Sequence, residues 1–156
     1  GTTSHIVIDA TGAVTKPLQP LFKVQQTSAL SVADGATCFS SNTTEAYDVN
    51  ADFASGTFTA PVDGYYLFSV SILYESVAAS EERVEDNFVS SNLEEIFVRF
   101  GLLDNALISG GYVKTQGSTI MFMDANDTCY VKHADGGTFD VYAGANLSHF
   151  EGCLLQ

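Results

Sequence analysis

The chain has 156 residues, 46% of them hydrophobic, and six Lys and Arg against nineteen Asp and Glu, a formal net charge of −13. That length and apolar content suit one folded domain with a real core and exclude a disordered chain. The charge excludes nucleic acid as a partner and repels anionic lipid, and no run of eighteen apolar residues is present to span a membrane.

Residues 1–20, GTTSHIVIDATGAVTKPLQP, read as a connector rather than as core. Residues 5–9 form one short strand, Thr11-Gly12 is a turn, and Pro17 and Pro20 hold the chain extended. The sequence opens on Gly1, with no initiating Met and no signal-peptide pattern, so an upstream region is expected. From Leu21 the chain reads as all-β. Strands are predicted over 21–25, 47–49, 57–59, 65–74, 96–103, 108–114, 117–123, 128–132, 138–143 and 150–155. Turns punctuate them at Asp34-Gly35, Asp63-Gly64, Asp104-Asn105, 124–127 and Asp135-Gly136-Gly137. No sustained 3.6-residue period separates these runs, and many short strands with turns between them give a sandwich or jelly roll.

One segment departs from this pattern. Residues 75–95, ESVAASEERVEDNFVSSNLEE, are acidic and lack Pro and Gly. Ser80 followed by Glu81, Glu82 and Glu85 fits the start of a helical turn. The expectation is an enlarged surface loop with one short helix, and loops this long are functional or disordered.

Two stretches carry the most information. In residues 56–72, GTFTAPVDGYYLFSVSI, Phe58 and then Tyr66, Phe68 and Val70 alternate with smaller or more polar residues, with Pro61 and Gly64 making a turn. The closing SHFEGCLLQ alternates again, with Phe150, Gly152 and Leu154 on one side. The spacings G-x-F-x-x-P-x-x-G-x-Y-x-F and S-x-F-x-G-x-L-L fall on Gly56, Phe58, Pro61, Gly64, Tyr66 and Phe68, and on Ser148, Phe150, Gly152, Leu154 and Leu155. Over about residues 20–156 the chain resembles the trimeric globular head of complement C1q and the tumour-necrosis-factor-like proteins. The resemblance implies an all-β jelly-roll sandwich of about ten antiparallel strands, 21–156, assembled as a homotrimer. Phe58, Pro61, Gly64, Tyr66, Phe68, Phe150, Gly152 and Leu154 are then its fold-defining residues. The wording GAVTKPLQPLF, YDVNADFASGTFTAPVDGYY and MDANDTCYV also resembles the viral branch of these heads, found where the shaft of a phage or marine viral appendage ends.

No catalytic constellation is present in the sequence. His5, His133 and His149 are scattered, and a His scattered through a β domain is usually a surface or edge residue. There is no G-x-S-x-G elbow and no H-E-x-x-H. Cys38, Cys129 and Cys153 lack metal-ligand spacing, and their odd number argues against a disulfide framework, so core or groove filling is their expected role. Asp124-Ala125-Asn126-Asp127 offers oxygens to calcium, but Cys129 stands where an EF-hand needs its glycine. Turn-making through Asx side chains is the better reading. Sequons at Asn42, Asn126 and Asn146 matter only in a eukaryotic secretory pathway. Tyr47, Tyr65, Tyr74, Tyr112, Tyr130 and Tyr142 are spread over the strands. Strand parity turns some of them, Tyr65 and Tyr130 among them, away from the core, where the resemblance supplies a neighbouring subunit to pack on.

The functional expectation is binding without catalysis. The resemblance implies a trimeric head at the tip of a viral fibre, spike or horn, located on the virion and contacting a host-cell receptor or saccharide with avidity from three equivalent sites. Expected contact residues are Glu81, Glu82, Glu85 and Asp86 in the acidic insertion, and Asp135 in the turn that follows. No cofactor or protein-bound metal is expected, although divalent cations between three copies at −13 each, −39 together, would relieve their repulsion. The competing readings are a structural cap that only trimerises, a secreted C1q-like recognition or adhesion protein, and, more distantly, a hydrolase.

Overall fold

The computed structural model describes residues 6–77, 83–101, 111–135, 137–144 and 146–155. Among them are fourteen strands and no helix. In chain order these are β1 (Val7–Ile8), β2 (Val14–Thr15), β3 (Leu21–Gln26), β4 (Leu30–Val32), β5 (Thr43–Val49), β6 (Phe53–Ala54) and β7 (Thr57–Thr59). They continue with β8 (Gly64–Glu75), β9 (Arg83–Ser90), β10 (Glu94–Gly101), β11 (Val113–Met123), β12 (Thr128–Asp135), β13 (Phe139–Val141) and β14 (His149–Leu154). A five-stranded sheet runs β10-β9-β12-β7-β6. A seven-stranded sheet runs β4-β13-β8-β14-β3-β5, with β11 paired along the other edge of β8. All pairings are antiparallel, as in a jelly-roll sandwich.

β8 organises the molecule. Its even-numbered residues Tyr66, Phe68, Val70, Ile72 and Tyr74 are buried between the sheets, while Tyr65 on the other parity is exposed. The period of two read from the sequence is therefore the period of burial. Phe22, Phe53, Phe58, Phe68, Phe88 and Phe150 fill the centre, with Phe22 stacked on Phe58 at 4.9 Å between ring centroids and edge-on to Phe150 at 5.0 Å. Each such ring contributes about 1.5–3 kcal/mol through burial.

The glycine of the closing motif has a steric cause. Gly152 pairs with Phe22 on one side and Phe68 on the other. A Cβ there would lie 2.7 Å from both rings, so only a hydrogen leaves room for the aromatic stack. Gly56 opens the other motif with φ +88°, and a Cβ on it would lie 2.9 Å from Thr37 Cγ2. Pro61 is exposed in the turn before β8, Gly64 is its buried first residue, and Leu154 packs partly against the core.

The described part of the acidic segment is not a surface loop. Residues 83–90 form β9, hydrogen-bonded between β10 and β12 inside the five-stranded sheet. Val84, Asp86 and Phe88 point into the core, Glu85 and Asn87 on the other parity are buried as well, and the described part holds no helical turn. The carboxylates concealed this alternation, because one of them occupies an inward position. Three other boundaries differ. Residues 113–123 are one unbroken strand where two were expected, β4 and β6 are additional, and the connector holds a β1-β2 hairpin rather than a single strand. The helical start at 80–82, the turn at 104–105 and the predicted strand residues 102–103 and 108–110 lie outside the described residues.

Candidate binding surfaces

Of the acidic residues expected to contact a partner, Glu81 and Glu82 lie outside the described residues. Glu85 and Asp86 are adjacent on β9 and therefore face opposite ways. Both are buried, which corrects their assignment to an exposed loop. Asp135 ends β12 and pairs with Glu85 across a bulge that follows His133. The structure thus gathers Glu85, Asp86 and Asp135 at one end of one sheet.

Asp86 belongs to the core. The Tyr74 hydroxyl donates to its Oδ1 at 2.5 Å, and His133 Nδ1 lies 3.2 Å from the same oxygen. Cys38 Sγ lies 3.5 Å from the Tyr74 hydroxyl and 4.0 Å from Asp86 Oδ1. These four side chains join β8 of one sheet to β9 and β12 of the other, and all are fully buried. Burial first, then Cys38 and Asp86, pushes the Tyr74 hydroxyl well above the ordinary tyrosine range. Burial and then Asp86 push the Cys38 thiol up likewise. Tyrosine and cysteine therefore stay neutral, and the cluster is a structural polar knot rather than an activated nucleophile. His133 corrects the expectation of a surface or edge histidine. Sequence reading missed Cys38, Tyr74 and His133 as partners of Asp86. The available signal was a polar residue at an inward position of both β9 and β12.

The outer faces of the two sheets differ in chemistry. On the five-stranded sheet, Asp34, Gly35, Glu85, Asn87, Glu94, Lys132 and Ala134 line an open concavity of about 560 Å³. Lys132 Nζ and Asn87 Nδ2 each lie 2.5 Å from Glu94 Oε1. The Lys132 bond first, then the Asn87 bond, holds the Glu94 carboxyl below its ordinary value. Asn87 Oδ1 is buried without a hydrogen-bond partner among the described residues.

On the seven-stranded sheet, pairing aligns Leu21, Cys153, Leu67 and Ile120 as one apolar row across β3, β14, β8 and β11. Tyr65 and Phe122 form a second cross-strand pair on this face, edge to face at 5.3 Å. Tyr65, Ile120 and Phe122 are 51%, 56% and 53% exposed and adjoin one another across β8 and β11, so they form a contiguous apolar patch. Tyr47, Leu21, Leu67 and Cys153 help line a shallow cavity of about 200 Å³ in the same row. The next rows are polar: Lys23, Glu151, Ser69 and Ser118, then Gln25, His149, Ser71 and Gln116. Outward parity is confirmed for Tyr65, whereas Tyr74 points into the core.

Cys129 fills the core, Cys153 is half-buried in the apolar row, and all three cysteines are free thiols. The turn at 124–127 is built as read from its Asx residues: Asp127 Oδ2 accepts from the backbone N–H of Asp124, and Asn126 takes φ +77°. Asp127 also accepts from Ser91 Oγ and Asn92 Nδ2, which fastens this turn to the β9–β10 turn. Among the described residues no three His, Cys, Asp or Glu side chains converge to hold a metal, and no helix is long and apolar enough to cross a membrane.

No protein-family model matches the sequence, and neither does any curated protein. Solved structures do match. The globular domain of zebrafish complement 1qA is 17% identical, with a TM-score of 0.64 over 88% of this chain and 98% of that one. The structure of Eiger TNF from S. frugiperda is 12% identical, TM-score 0.62, over 88% and 93%. Murine APRIL is 10% identical, TM-score 0.58, over 88% and 99%. At these identities the likeness establishes the fold, a C1q/TNF-type jelly roll.

Proposed function

We propose that this chain is a non-enzymatic recognition head that trimerises through the outer face of its seven-stranded sheet. The observation that carries this reading is the exposed apolar row Leu21–Cys153–Leu67–Ile120 with the adjoining Tyr65–Phe122 pair. A contiguous exposed apolar face of this kind suits a like copy, and its burial would have to offset the repulsion between chains of charge −13. A non-catalytic role is supported by the sealed Cys38–Tyr74–Asp86–His133 cluster, whose thiol and phenol are held neutral. Sedimentation at micromolar concentration tests the assembly: one species near three times 16.6 kDa is expected, and a stable monomer would overturn it.

In the setting suggested by the wording of residues 12–22, the trimer caps a viral appendage on the virion and attaches it to a host-cell surface molecule. The polar concavity around Glu85, Asn87, Glu94 and Lys132 faces away from the apolar row and is the contact surface in this reading. Cell binding by the isolated trimer, reduced by the double variant Glu94→Ala, Lys132→Ala, is the expected result. The burial of β9 favours a second reading, because the segment expected to be a contact loop is a core strand. A head that trimerises and binds no host cell would be a structural cap.

A further inference from the structure

The polar half of the seven-stranded sheet's outer face holds a pocket distinct from the apolar row. Ser69 and Ser71 of β8, Lys114, Gln116 and Ser118 of β11 and His149 of β14 line about 410 Å³. The lining is rich in donors: the Ser69 and Ser118 hydroxyls, a carboxamide, an ammonium and an imidazole, with no carboxylate among them, while the Ser71 hydroxyl donates to the Leu147 carbonyl. This is the reverse of the chain as a whole, where nineteen acids face six Lys and Arg. Lys23, one row away, is paired with Glu151 at 2.9 Å, whereas Lys114 has no ion pair among the described residues. His149 Nδ1 is buried without a hydrogen-bond partner there. Burial first, then Lys23, opposed by Glu151 and with a smaller push from Lys114, holds the His149 imidazole below its ordinary value.

We infer that this pocket takes a carboxylate, held by the Lys114 ammonium and by the hydroxyl and amide donors of Ser69, Ser118 and Gln116. A carboxylate accepts at several lone pairs at once, and an ammonium with neighbouring O–H and N–H donors matches that demand. Two sources share the chemistry: an Asp or Glu of the neighbouring copy, seated as the apolar rows pack, or a free carboxylate such as an acidic sugar. The first source rests on the trimer reading and gives that assembly a registering contact beside its apolar patch. In a threefold ring each copy gives one carboxylate and receives one.

The test compares the parent chain with Lys114→Met, which keeps most of the stem, Lys114→Arg, which keeps the charge, and Lys16→Met, which makes the same change in net charge on the connector. Sedimentation over a dilution series and NMR titration with acetate are run on all four. A trimer whose dissociation midpoint rises at least about 10-fold in Lys114→Met, but not in Lys16→Met or Lys114→Arg, supports the neighbour's carboxylate. Unchanged dissociation with saturable acetate shifts at Gln116, Ser118 and His149, lost in Lys114→Met, supports a free carboxylate. Unchanged dissociation without such shifts overturns the inference. A monomeric parent overturns the trimer reading alone, and the acetate titration then decides the pocket by itself.

Discussion

Removing one oxygen atom from the core tests the polar knot. Tyr74→Phe keeps the ring, with its contacts to His133 and Phe139 at 5.4 and 5.9 Å between centroids, and deletes only the hydroxyl that donates to Asp86 at 2.5 Å. Asp86 Oδ1 is then left with His133 Nδ1 at 3.2 Å and a weak thiol at 4.0 Å, while Oδ2 has no partner among the described residues to begin with. Depriving a buried acceptor of its donor costs about 1–3 kcal/mol, with bonds to charged groups at the upper end. For a chain of this size that lowers Tm by roughly 2–12 °C at fixed protomer concentration. Urea unfolding should show a lower midpoint with an unchanged slope, because the surface exposed on unfolding is the same. The double variant Tyr74→Phe, Asp86→Asn should show strong coupling, since both changes act on one bond. A Tyr74→Phe variant within about 0.5 kcal/mol of the parent would mean that the hydroxyl contributes nothing net, and the knot would lose its structural role.

Gly152→Ala should destabilise by about 1–3 kcal/mol, because its Cβ would press on Phe22 and Phe68 at 2.7 Å; an unchanged urea midpoint would refute the close approach. Phe150→Ala, at the centre of the aromatic stack, should cost about 3–5 kcal/mol, and a parent-like melt would show the register of β14 to be wrong. Replacing residues 76–92 by a short Gly-Ser linker should abolish folding, seen as loss of near-ultraviolet circular dichroism, because the linker removes β9 from inside its sheet; a folded product would sink this assignment. Hydrogen bonds from Ser91, then from the Asp124 backbone and Asn92, lower the Asp127 carboxyl below 3.8. The folded state then binds fewer protons than the unfolded one just below that value, so this contribution is present above about 3.8 and is lost as pH falls through the lowered value. Asp127→Asn should flatten that part of the acid limb, and an identical acid profile would refute the link.

The aromatic core was legible because local period and turn chemistry agree with the fold: Phe58, Tyr66 and Phe68 alternate on strands separated by the turn of Pro61 and Gly64, Phe150 alternates on the closing strand, and all four are buried. The need for glycine at 152 was legible only as a motif, since its cause is two rings more than eighty residues away in the sequence. β9 was hidden because Asp86 takes an inward place that an apolar residue normally fills, and its compensation by Tyr74 and His133 is long-range. The same reason hid His133. The outer faces were half legible: parity turned Tyr65 outward, but the row Leu21–Cys153–Leu67–Ile120 exists only once the registers of four strands are known.

β11 pairs with β8 alone among the described residues, and its Ile120 and Phe122 are exposed. The stretch from Ser118 to Met123 carries no charge, no Pro and no Gly, which is the composition of a segment that templates further strands. Lys114 is the only charge on this strand, and it lies at the far end. In the proposed trimer, burial of this exposed strand face between copies would compete in time with uncontrolled stacking. Tethering three chains would raise their local concentration and tilt that competition toward assembly, so the yield of the untethered chain should fall as its expression rate rises.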